Sequence, residues 1–505
     1  MKIFTAEQIK KWDEFTIMNE PVSSIQLMER ASLAIANWIS ENCKNHKKLV
    51  IFCGNGNNGG DGLATARILY QKGFDIDVFV QNPKGKFSEN ASVNLRRLRD
   101  ISGISVKQFK DINSYYFDDK TIIVDALFGT GLSRPLEGEY QKIVDQLNVK
   151  KNNKISIDLP SGLLSDAISE TDASIVKADY TLSFQSWKRS FLHPEAGEYT
   201  GKVIILDIDL HKEYAQITKT GYQVVDDPLI ESVFRPRKDF SHKGSYGKAT
   251  IIAGSYGKMG AAVLATKSAL KTGAGLTFTL APQCGYDILQ TSCPEAMFIK
   301  GGEDTIEYFE VDKDTFCGIG PGLGNHPDTK KGFLKFLKNY QFPLVLDADA
   351  LNMISRDPKN LTLIPEKSII TPHPKEFERL FGKTGNSFAR LELAREKSKE
   401  LQIYMVLKDH HTQIITPQGD VFYNVTGNAG LAKGGSGDVL TGILTALRAQ
   451  GYSEEHTCIL GVWLHGKAAD FAAEKYSKES MLPTDVINEL GNVFALLNKE
   501  VTKNL

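Results

Sequence analysis

Short apolar runs alternate with helix-like stretches along most of this chain, and the pattern occurs twice. Near the N-terminus Ala31, Ala34, Ile35, Trp38 and Ile39 fall at i, i+3, i+4, i+7 and i+8. That spacing gathers them into one apolar stripe and predicts helix over much of residues 1–45. A first series of runs follows at 49–53, 76–80, 121–126, 155–159, 180–184 and 203–208. Runs this short and β-branched, separated by crossover helices, predict a parallel sheet covered on both faces. Between about 211 and 248 the alternation lapses, and Asp226-Asp227-Pro228 and Arg235-Pro236-Arg237-Lys238 read as an inter-domain connection. A second series then occupies 249–253, 276–280, 316–319, 344–346, 368–370, 404–407 and 413–416. The expectation is two α/β domains, 1–215 and 225–505, each a sheet sandwiched by helices.

At 505 residues the chain is too long for one ordinary core. Hydrophobic residues make up 41% and charged residues 24%, ordinary values for a globular protein. A net charge of −1 supplies no global field for nucleic acid or an anionic membrane. No apolar stretch approaches the ~20 residues that span a bilayer, and the polar start MKIFTAEQIKKWDEF lacks a signal-peptide core. The six cysteines form no CxxC and no metal-ligand pairing, so they read as small buried thiols in a reducing compartment. The expected partners are small molecules in the cytoplasm, with no nucleic acid and no membrane. A homo-oligomer is neither required nor excluded.

The chemistry concentrates in two glycine-rich turns, GNGNNGGDG at 54–62 and GNAGLAKGGSGDVLTG at 427–442. A backbone with so few Cβ atoms approaches a phosphate or ion closely and turns its N–H groups toward it. In the first half three polar motifs end three predicted strands. They are Asn57-Asn58-Gly59-Gly60-Asp61, Asp125 through Gly129-Thr130-Gly131, and Asp158 through Ser161-Gly162. Ligands of an open parallel sheet bind beyond the strand carboxyl ends, so the three motifs are expected to converge. Asn58, Asp125 and Ser161 offer hard oxygen ligands, and without further clustered carboxylates they suit a monovalent ion better than a Mg²⁺ or Ca²⁺ cage. The GTGLSRP loop has the N–H density to hold a phosphate, and Asp158 is the spare acid/base group. The alternative is that each Asp caps a helix and each Gly closes a turn.

GNGNNGGDG, VDALFGTG and DLPSG together resemble the NAD(P)H-hydrate epimerase domain over roughly residues 1–210. The resemblance implies a Rossmann-like three-layer sandwich holding a damaged nicotinamide dinucleotide. The residues implied as its contacts are Asn57, Asn58, Gly59, Gly60 and Asp61; the loop Gly129, Thr130, Gly131, Leu132, Ser133, Arg134 and Pro135; and Tyr140 and Asp158. It further implies K⁺ on Asn58, Asp125 and Ser161, and interconversion of the R and S forms at C6 of the hydrated ring. Asn55 stands where that family commonly has proline.

In the second turn Leu440, Ile443, Leu444 and Leu447 fall at i, i+3, i+4 and i+7, so a helix is expected from about Asp438. Gly434, Gly435 and Gly437 would leave free N–H groups at its positive end, an anion hole for a migrating phosphoryl group. Asp438 is then placed to take the proton of the attacking hydroxyl, unless it is only an N-cap. The helix terminus lowers its pKa and bound phosphates raise it, and sequence leaves that balance open. Upstream, Gly320-Pro321-Gly322-Leu323-Gly324 would bring backbone close to a substrate. Asp347 and Asp349 are expected on one strand face, serving a magnesium-bound nucleotide or a substrate hydroxyl, or anchoring a neighbouring loop, the reading favoured. His373 is stiffened by a proline on each side, which favours a contact role. Lys408 meets nucleotide phosphate or is an ordinary solvated lysine.

GGSGD resembles the ribokinase-like superfamily, and SHKGSYGKATIIAGS, GPGLG, DADALN, TPHPKE and GNAGLAKGGSGDVLTG narrow the resemblance to NAD(P)H-hydrate dehydratase over about 225–500. The resemblance implies a ribokinase-like α/β sandwich in which ADP or ATP phosphorylates the ring hydroxyl and phosphate elimination restores NAD(P)H. ADP with Mg²⁺ is expected here. Ala261, Gly322, His373 and Asp438 would contact the hydrate. Lys408, Asp409, His410, His411 and Thr412 would contact the adenine nucleotide, as would Asn428, Ala429, Gly430, Leu431, Ala432, Lys433, Gly434, Gly435, Ser436 and Gly437. Lys375 and Asp409 each replace a common glycine, and Asp409 adds negative charge beside the nucleotide loop. Together the halves predict a bifunctional repair enzyme for hydrated NADH and NADPH, releasing AMP and phosphate. The rivals are a small-molecule kinase with an accessory first domain, and a first half that only binds nucleotide or RNA.

Overall fold

The computed structural model describes all residues except 46–47, 83, 110–111, 113–114 and 504–505. The chain divides into two compact units, Lys2–Thr220 and Gly221–Leu505, with Met1 grouped with the second. No helix among the described residues is long and apolar enough to cross a membrane.

The first unit opens with helices Ala6–Asn19 and Ser24–Asn42, each started by a reciprocal capping box, Thr5 with Gln8 and Ser23 with Gln26. Seven strands follow: β1 (Lys48–Cys53), β2 (Asp75–Val80), β3 (Ser105–Gln108), β4 (Ile122–Ala126), β5 (Lys154–Ile157), β6 (Tyr180–Phe184) and β7 (Lys202–Leu206). All pair in parallel in the order β3-β2-β1-β4-β5-β6-β7, a Rossmann-like sheet. Alternation along β1 sends Leu49, Ile51 and Cys53 into one core and Val50 and Phe52 into the other. That double burial is why the strand reads as a continuous apolar run. β3 escaped the sequence pattern because it is an exposed or half-buried edge, Ser-Val-Lys-Gln. The order reverses between β1 and β4, so the carboxyl ends of β1, β4 and β5 lie side by side.

The second unit contains β8 (Tyr222–Val225), β9 (Lys248–Ile252), β10 (Leu276–Ala281), β11 (Met297–Lys300) and β12 (Phe316–Ile319). It continues with β13 (Val345–Leu346), β14 (Ile369–Ile370), β15 (Tyr404–Leu407), β16 (Gln413–Ile415) and β17 (Val421–Asn424). Their order is β11-β10-β9-β12-β13-β14-β15-β16-β17-β8. β9 to β15 are parallel, β16 is antiparallel to both its neighbours, and β8 lies parallel to β17. The segment expected to be a bare connection therefore supplies an edge strand, too short to register as an apolar run. The largest core of this unit lies among helices Ser436–Ala449, Glu454–Tyr476 and Pro483–Lys503 and the sheet. The order reverses between β9 and β12, placing the carboxyl ends of β9, β12, β13, β14 and β15 in a row.

Candidate active sites

In the first unit a cavity of about 930 Å³ opens beyond β1, β4 and β5. Asn57, Asn58 and Asp61 line it from the first loop, Gly129 through Ser133 from the second, and Asp158 from the third. The convergence expected from strand order is therefore present. Gly59 and Gly60 serve packing instead. A Cβ on Gly59 would fall 1.8 Å from Gly54 O, and one on Gly60 would fall 2.8 Å from Met28 Sδ. Arg134 and Pro135 lie outside the lining, as does Tyr140, whose ring packs edge-on against Phe128 with centroids 4.6 Å apart.

Asp158 follows β5 with φ +64°, a left-handed conformation that costs a non-glycine residue energy. Its Oδ1 lies 3.1 Å from the buried ammonium of Lys188 and accepts a hydrogen bond from Phe184 N at 3.3 Å. Lys188 also donates to the carbonyls of Phe184 and Ser186, at 3.0 and 3.3 Å. Sequence reasoning missed Lys188, which sits in an unremarked Trp-Lys-Arg stretch. It also missed Asp13, a polar position on an amphipathic helix that faces the cavity rather than solvent. Burial first, and then the Asp158 charge, push Asp13 up to about 7 against the opposing effect of Lys188. Burial likewise drives Asp61 well above the ordinary carboxylate range.

Asp125 is fully buried at the end of β4. Its Oδ1 accepts from Ser161 Oγ (2.6 Å) and Leu127 N (3.2 Å), and its Oδ2 from Ser156 Oγ (2.8 Å) and Ser161 N (2.9 Å). Burial raises its pKa despite those bonds, and among the described residues no cationic side chain pairs with it. Asn58 Oδ1 and Asp158 Oδ2 border Gly129 together, 3.2 and 3.3 Å from where its Cβ would stand. A buried carboxylate bonded to a hydroxyl, with an amide oxygen on the neighbouring Gly129 turn, is a set of hard oxygens that fits a monovalent cation.

In the second unit the helix Ser436–Ala449 begins two residues before the expected start, after Gly435 at φ +101°. No hydrogen-bond acceptor among the described residues meets the backbone N–H of Gly434, Gly435, Gly437 or Asp438. These are the uncovered donors of a helix N-terminus. A Cβ on Gly437 would lie 3.3 Å from Asp347 Oδ2 and 3.4 Å from Lys408 Nζ, so the turn abuts that ion pair.

Asp347 and Asp349 do not share a strand face as expected. β13 stops at Leu346, Asp347 precedes the helix Ala348–Ile354, and Asp349 sits in its first turn. The Ala348 φ of +50° turns the two carboxylates apart. Asp347 Oδ1 takes Lys408 Nζ at 2.8 Å, and Oδ2 accepts from Thr441 Oγ1 at 3.0 Å. Asp349 Oδ2 accepts from Gly324 N at 2.8 Å and so anchors the loop after β12. Lys408 is thus a partly buried member of a charge cluster, with Glu376 Oε2 at 4.0 Å, and not a solvated lysine. Burial, with Asp347 and Asp349 nearby, raises Asp438 to about 7 against the pull of Lys408. Desolvation and the two neighbouring carboxylates thus favour its protonated form, influences that the sequence did not reveal.

Gly322 lies against the first turn of helix Met259–Thr272, its Cβ position 3.0 Å from the Ala261 Cβ. His373 caps helix Pro374–Phe381, its Nδ1 accepting from Lys375 N (3.2 Å) and Glu376 N (3.4 Å). Burial lowers its pKa, consistent with a neutral ring. Asp409 is ion-paired with Arg390, so the extra charge expected near the nucleotide loop is met within the protein. His410 and His411 approach through their Nδ1 atoms at 3.2 Å, and burial pushes His411 down to about 3. Thr412 closes that loop, its carbonyl accepting from Asn424 N.

The side chains of Asn428 and Lys433 are already committed. Asn428 bonds Gly430 N, Ala469 O and Asp470, and Lys433 donates to Glu479 O (2.6 Å) and Met481 O (2.7 Å). Ala429, Gly430 and Leu431 form one 3₁₀ turn, Leu431 packing on the core. Ala432 and Gly434 are exposed. Sequence reasoning also missed His465, a buried ring beside Ser436 and Lys408 whose Nε2 has no side-chain or backbone partner among the described residues and which burial pushes down to about 4. Its apolar helical setting gave no signal.

A family model described as NAD(P)H-hydrate dehydratase matches residues 249–492. A second, described as YjeF-related protein N-terminus, matches residues 24–190. The bifunctional NAD(P)H-hydrate repair enzyme Nnr of Moorella thermoacetica is 33% identical, the match covering 99% of this chain and 98% of that protein. The Escherichia coli enzyme of the same name is 31% identical over 94% of this chain and 90% of its own. A crystal structure of ADP/ATP-dependent NAD(P)H-hydrate dehydratase from Bacillus subtilis, co-crystallised with ATP/Mg²⁺, shares 30% identity with a TM-score of 0.49, covering 55% of this chain and 98% of that one.

Proposed function

The chain belongs to the bifunctional NAD(P)H-hydrate repair enzymes, an epimerase and a dehydratase on one polypeptide, and from that premise we propose how its residues divide the work. Lys2–Thr220 interconverts the R and S hydrates in the cavity that holds Asp158. Gly221–Leu505 dehydrates the S form at the turn that holds Asp438. Asp438 takes the proton of the C6 hydroxyl as its oxygen attacks the terminal phosphorus of the nucleotide. The uncovered N–H groups of Gly434, Gly435 and Gly437 stabilise the phosphoryl group in transfer. Loss of phosphate from C6, together with the C5 proton, restores NAD(P)H.

ADP is the donor we propose, giving AMP and phosphate, on the fused two-domain form shared with the bacterial relatives. Asp347 and Asp349 already hold Lys408 and Gly324, so a Mg²⁺ ion would draw its ligands chiefly from the nucleotide. Asn58, Asp125 and Ser161 would hold K⁺ in the epimerase site, where it would supply positive charge to the substrate cavity. The reading includes a cytoplasmic protein acting on small molecules, without nucleic-acid or membrane partners.

The observation that carries the dehydratase assignment is Asp438 beside four N–H groups without acceptors. Mixed R and S hydrate with ADP should regain NADH absorbance completely. Recovery that halts at the S fraction removes the epimerase, and no recovery from pure S hydrate removes the dehydratase. For the cation, Ser156→Ala takes a buried hydrogen bond from Asp125 Oδ2. It should raise the K⁺ concentration for half-maximal epimerisation by about 10–100-fold while S-hydrate dehydration is unchanged. A K⁺ titration followed by chromatography of the epimers reads this out.

A further inference from the structure

Resting on the epimerase reading, we propose that Asp13 is the proton-transfer partner of Asp158: one carboxyl gives a proton to the hydroxyl leaving C6 while the other takes one from the water that replaces it.

Placement is the first support. Ala6, Ile9, Lys10 and Asp13 stand at i, i+3, i+4 and i+7 on helix Ala6–Asn19, and all four line the cavity that holds Asp158. Trp12, next in the chain, is buried, and its Nε1 donates to His211 O at 2.9 Å, which fixes the rotation of that helix and the presentation of Asp13. Other acidic groups of the lining are occupied elsewhere. Asp166 Oδ2 accepts from Ala6 N at 2.8 Å, and Glu7 pairs with Lys11 at 2.6 Å on the surface.

The cavity also presents buried polar atoms that lack partners among the described residues. Ser165 lines it, is 3% exposed, and has an Oγ with no hydrogen-bond partner among the described residues; Asn58 Nδ2 is likewise buried and unpaired. Buried polar atoms are costly unless something bonds them. A polar ring with a hydroxyl and a carboxamide supplies those bonds.

Charge is the third support. Asp13, Asp61 and Asp158 influence one another across the cavity, where Lys188 is paired with Asp158, Lys10 also lines the wall, and Glu14 is a weaker influence from the helix of Asp13. Burial and the neighbouring negative charge favour the protonated forms of Asp13 and Asp61. Asp13 sits near neutrality, so it exists in both forms where the enzyme works.

Inversion at C6 then balances. Protonated Asp13 gives its proton to the C6 hydroxyl, and the C6–O pair leaves with the oxygen as water. The N1 lone pair forms C6=N1, and the excess negative charge of the cluster stabilises this cation. Water adds to the opposite face, its oxygen pair forming the new C6–O bond as the π pair returns to N1, and Asp158 accepts the proton released. The reverse conversion exchanges the two roles, and solvent resets the protons between turnovers.

The test uses the full chain and pure R hydrate without ADP, with epimers separated by chromatography, and S-hydrate dehydration measured in parallel. Asp13→Asn should lower the epimerase kcat at least about 100-fold with KM changed by less than about threefold. Asp13→Glu should recover part of the rate, and thermal melting should show both variants folded. In the wild type, kcat/KM should fall as pH rises through about 7, since the pair must keep one proton; Asp13→Asn should lose that limb. A wild-type kcat in Asp13→Asn, or a change confined to KM, overturns the proposal. Failure of the unaltered protein to epimerise at all would instead overturn the reading on which it rests.

Discussion

Asp438→Asn should lower the kcat of ADP-dependent dehydration by about 10²–10⁴-fold and leave epimerisation of the R hydrate at its normal rate. The amide keeps the size of the carboxylate and its place in the first helical turn but cannot take the hydroxyl proton. The uncovered N–H groups of the turn remain, so nucleotide affinity should change little, and the loss should fall on kcat rather than KM. Stopped assays with pure S hydrate and ADP measure this directly.

The raised pKa of Asp438 gives the prediction a sign in pH. As a base it must be ionised, so dehydration should fall as pH drops through about 7. Stability runs the opposite way. The folded carboxyl binds its proton more tightly than the unfolded one, so ionising it costs the folded state stability as pH rises from about 4 to above 7. Asp438→Asn should therefore melt higher than the unaltered protein at pH 8, with the difference vanishing near pH 4. Equal melting temperatures at pH 8 would show that the site holds no such strain.

Asp158 should separate chemistry from folding in one position. Asp158→Asn keeps a residue type that tolerates the left-handed backbone, φ +64°, and leaves an oxygen toward Lys188. It should fold and lose epimerisation by about 10²–10⁴-fold, with S-hydrate dehydration intact. Asp158→Ala should lose the same activity and be less stable than the asparagine variant by about 1–3 kcal/mol, since both remove the counter-charge but only alanine also removes the acceptor oxygen. The reason is Lys188, whose side chain is 1% exposed and would be left as a buried ammonium with only carbonyl acceptors. Chemical denaturation of the two variants distinguishes the effects. An alanine variant as stable as the asparagine one would show that Lys188 gives up its proton instead.

The site residues differ in how far the sequence exposed them. Asn57, Asn58, Asp61, Asp125, Ser161 and Asp438 stand in glycine-rich motifs after apolar runs, and a parallel sheet brings its strand ends together whatever the details of packing. Asp13 and Lys188 carried no such mark. Asp13 lies on a helix whose polar residues look solvent-facing until the fold lays one face over the cavity, and Lys188 lies 30 residues beyond its partner. Asp347 and Asp349 were misplaced because a strand was extended through them, and the turn at Ala348 leaves no periodicity to read. Asp409 looked like an unmatched charge because Arg390 comes from the preceding helix, Ser387–Leu401.

Hydrophobic period and glycine spacing alone determine that this chain makes two helix-covered sheets, and on which edge of each the chemistry sits. Those signals are local, written within a few residues of where they act. What only the tertiary structure decided is the state of the chemistry: which carboxylates are buried beside like charge, which lysine is paired, which backbone donors stay uncovered. Protonation depends on burial and on charges a few ångströms away, and residues that near in space are tens of positions apart in the chain.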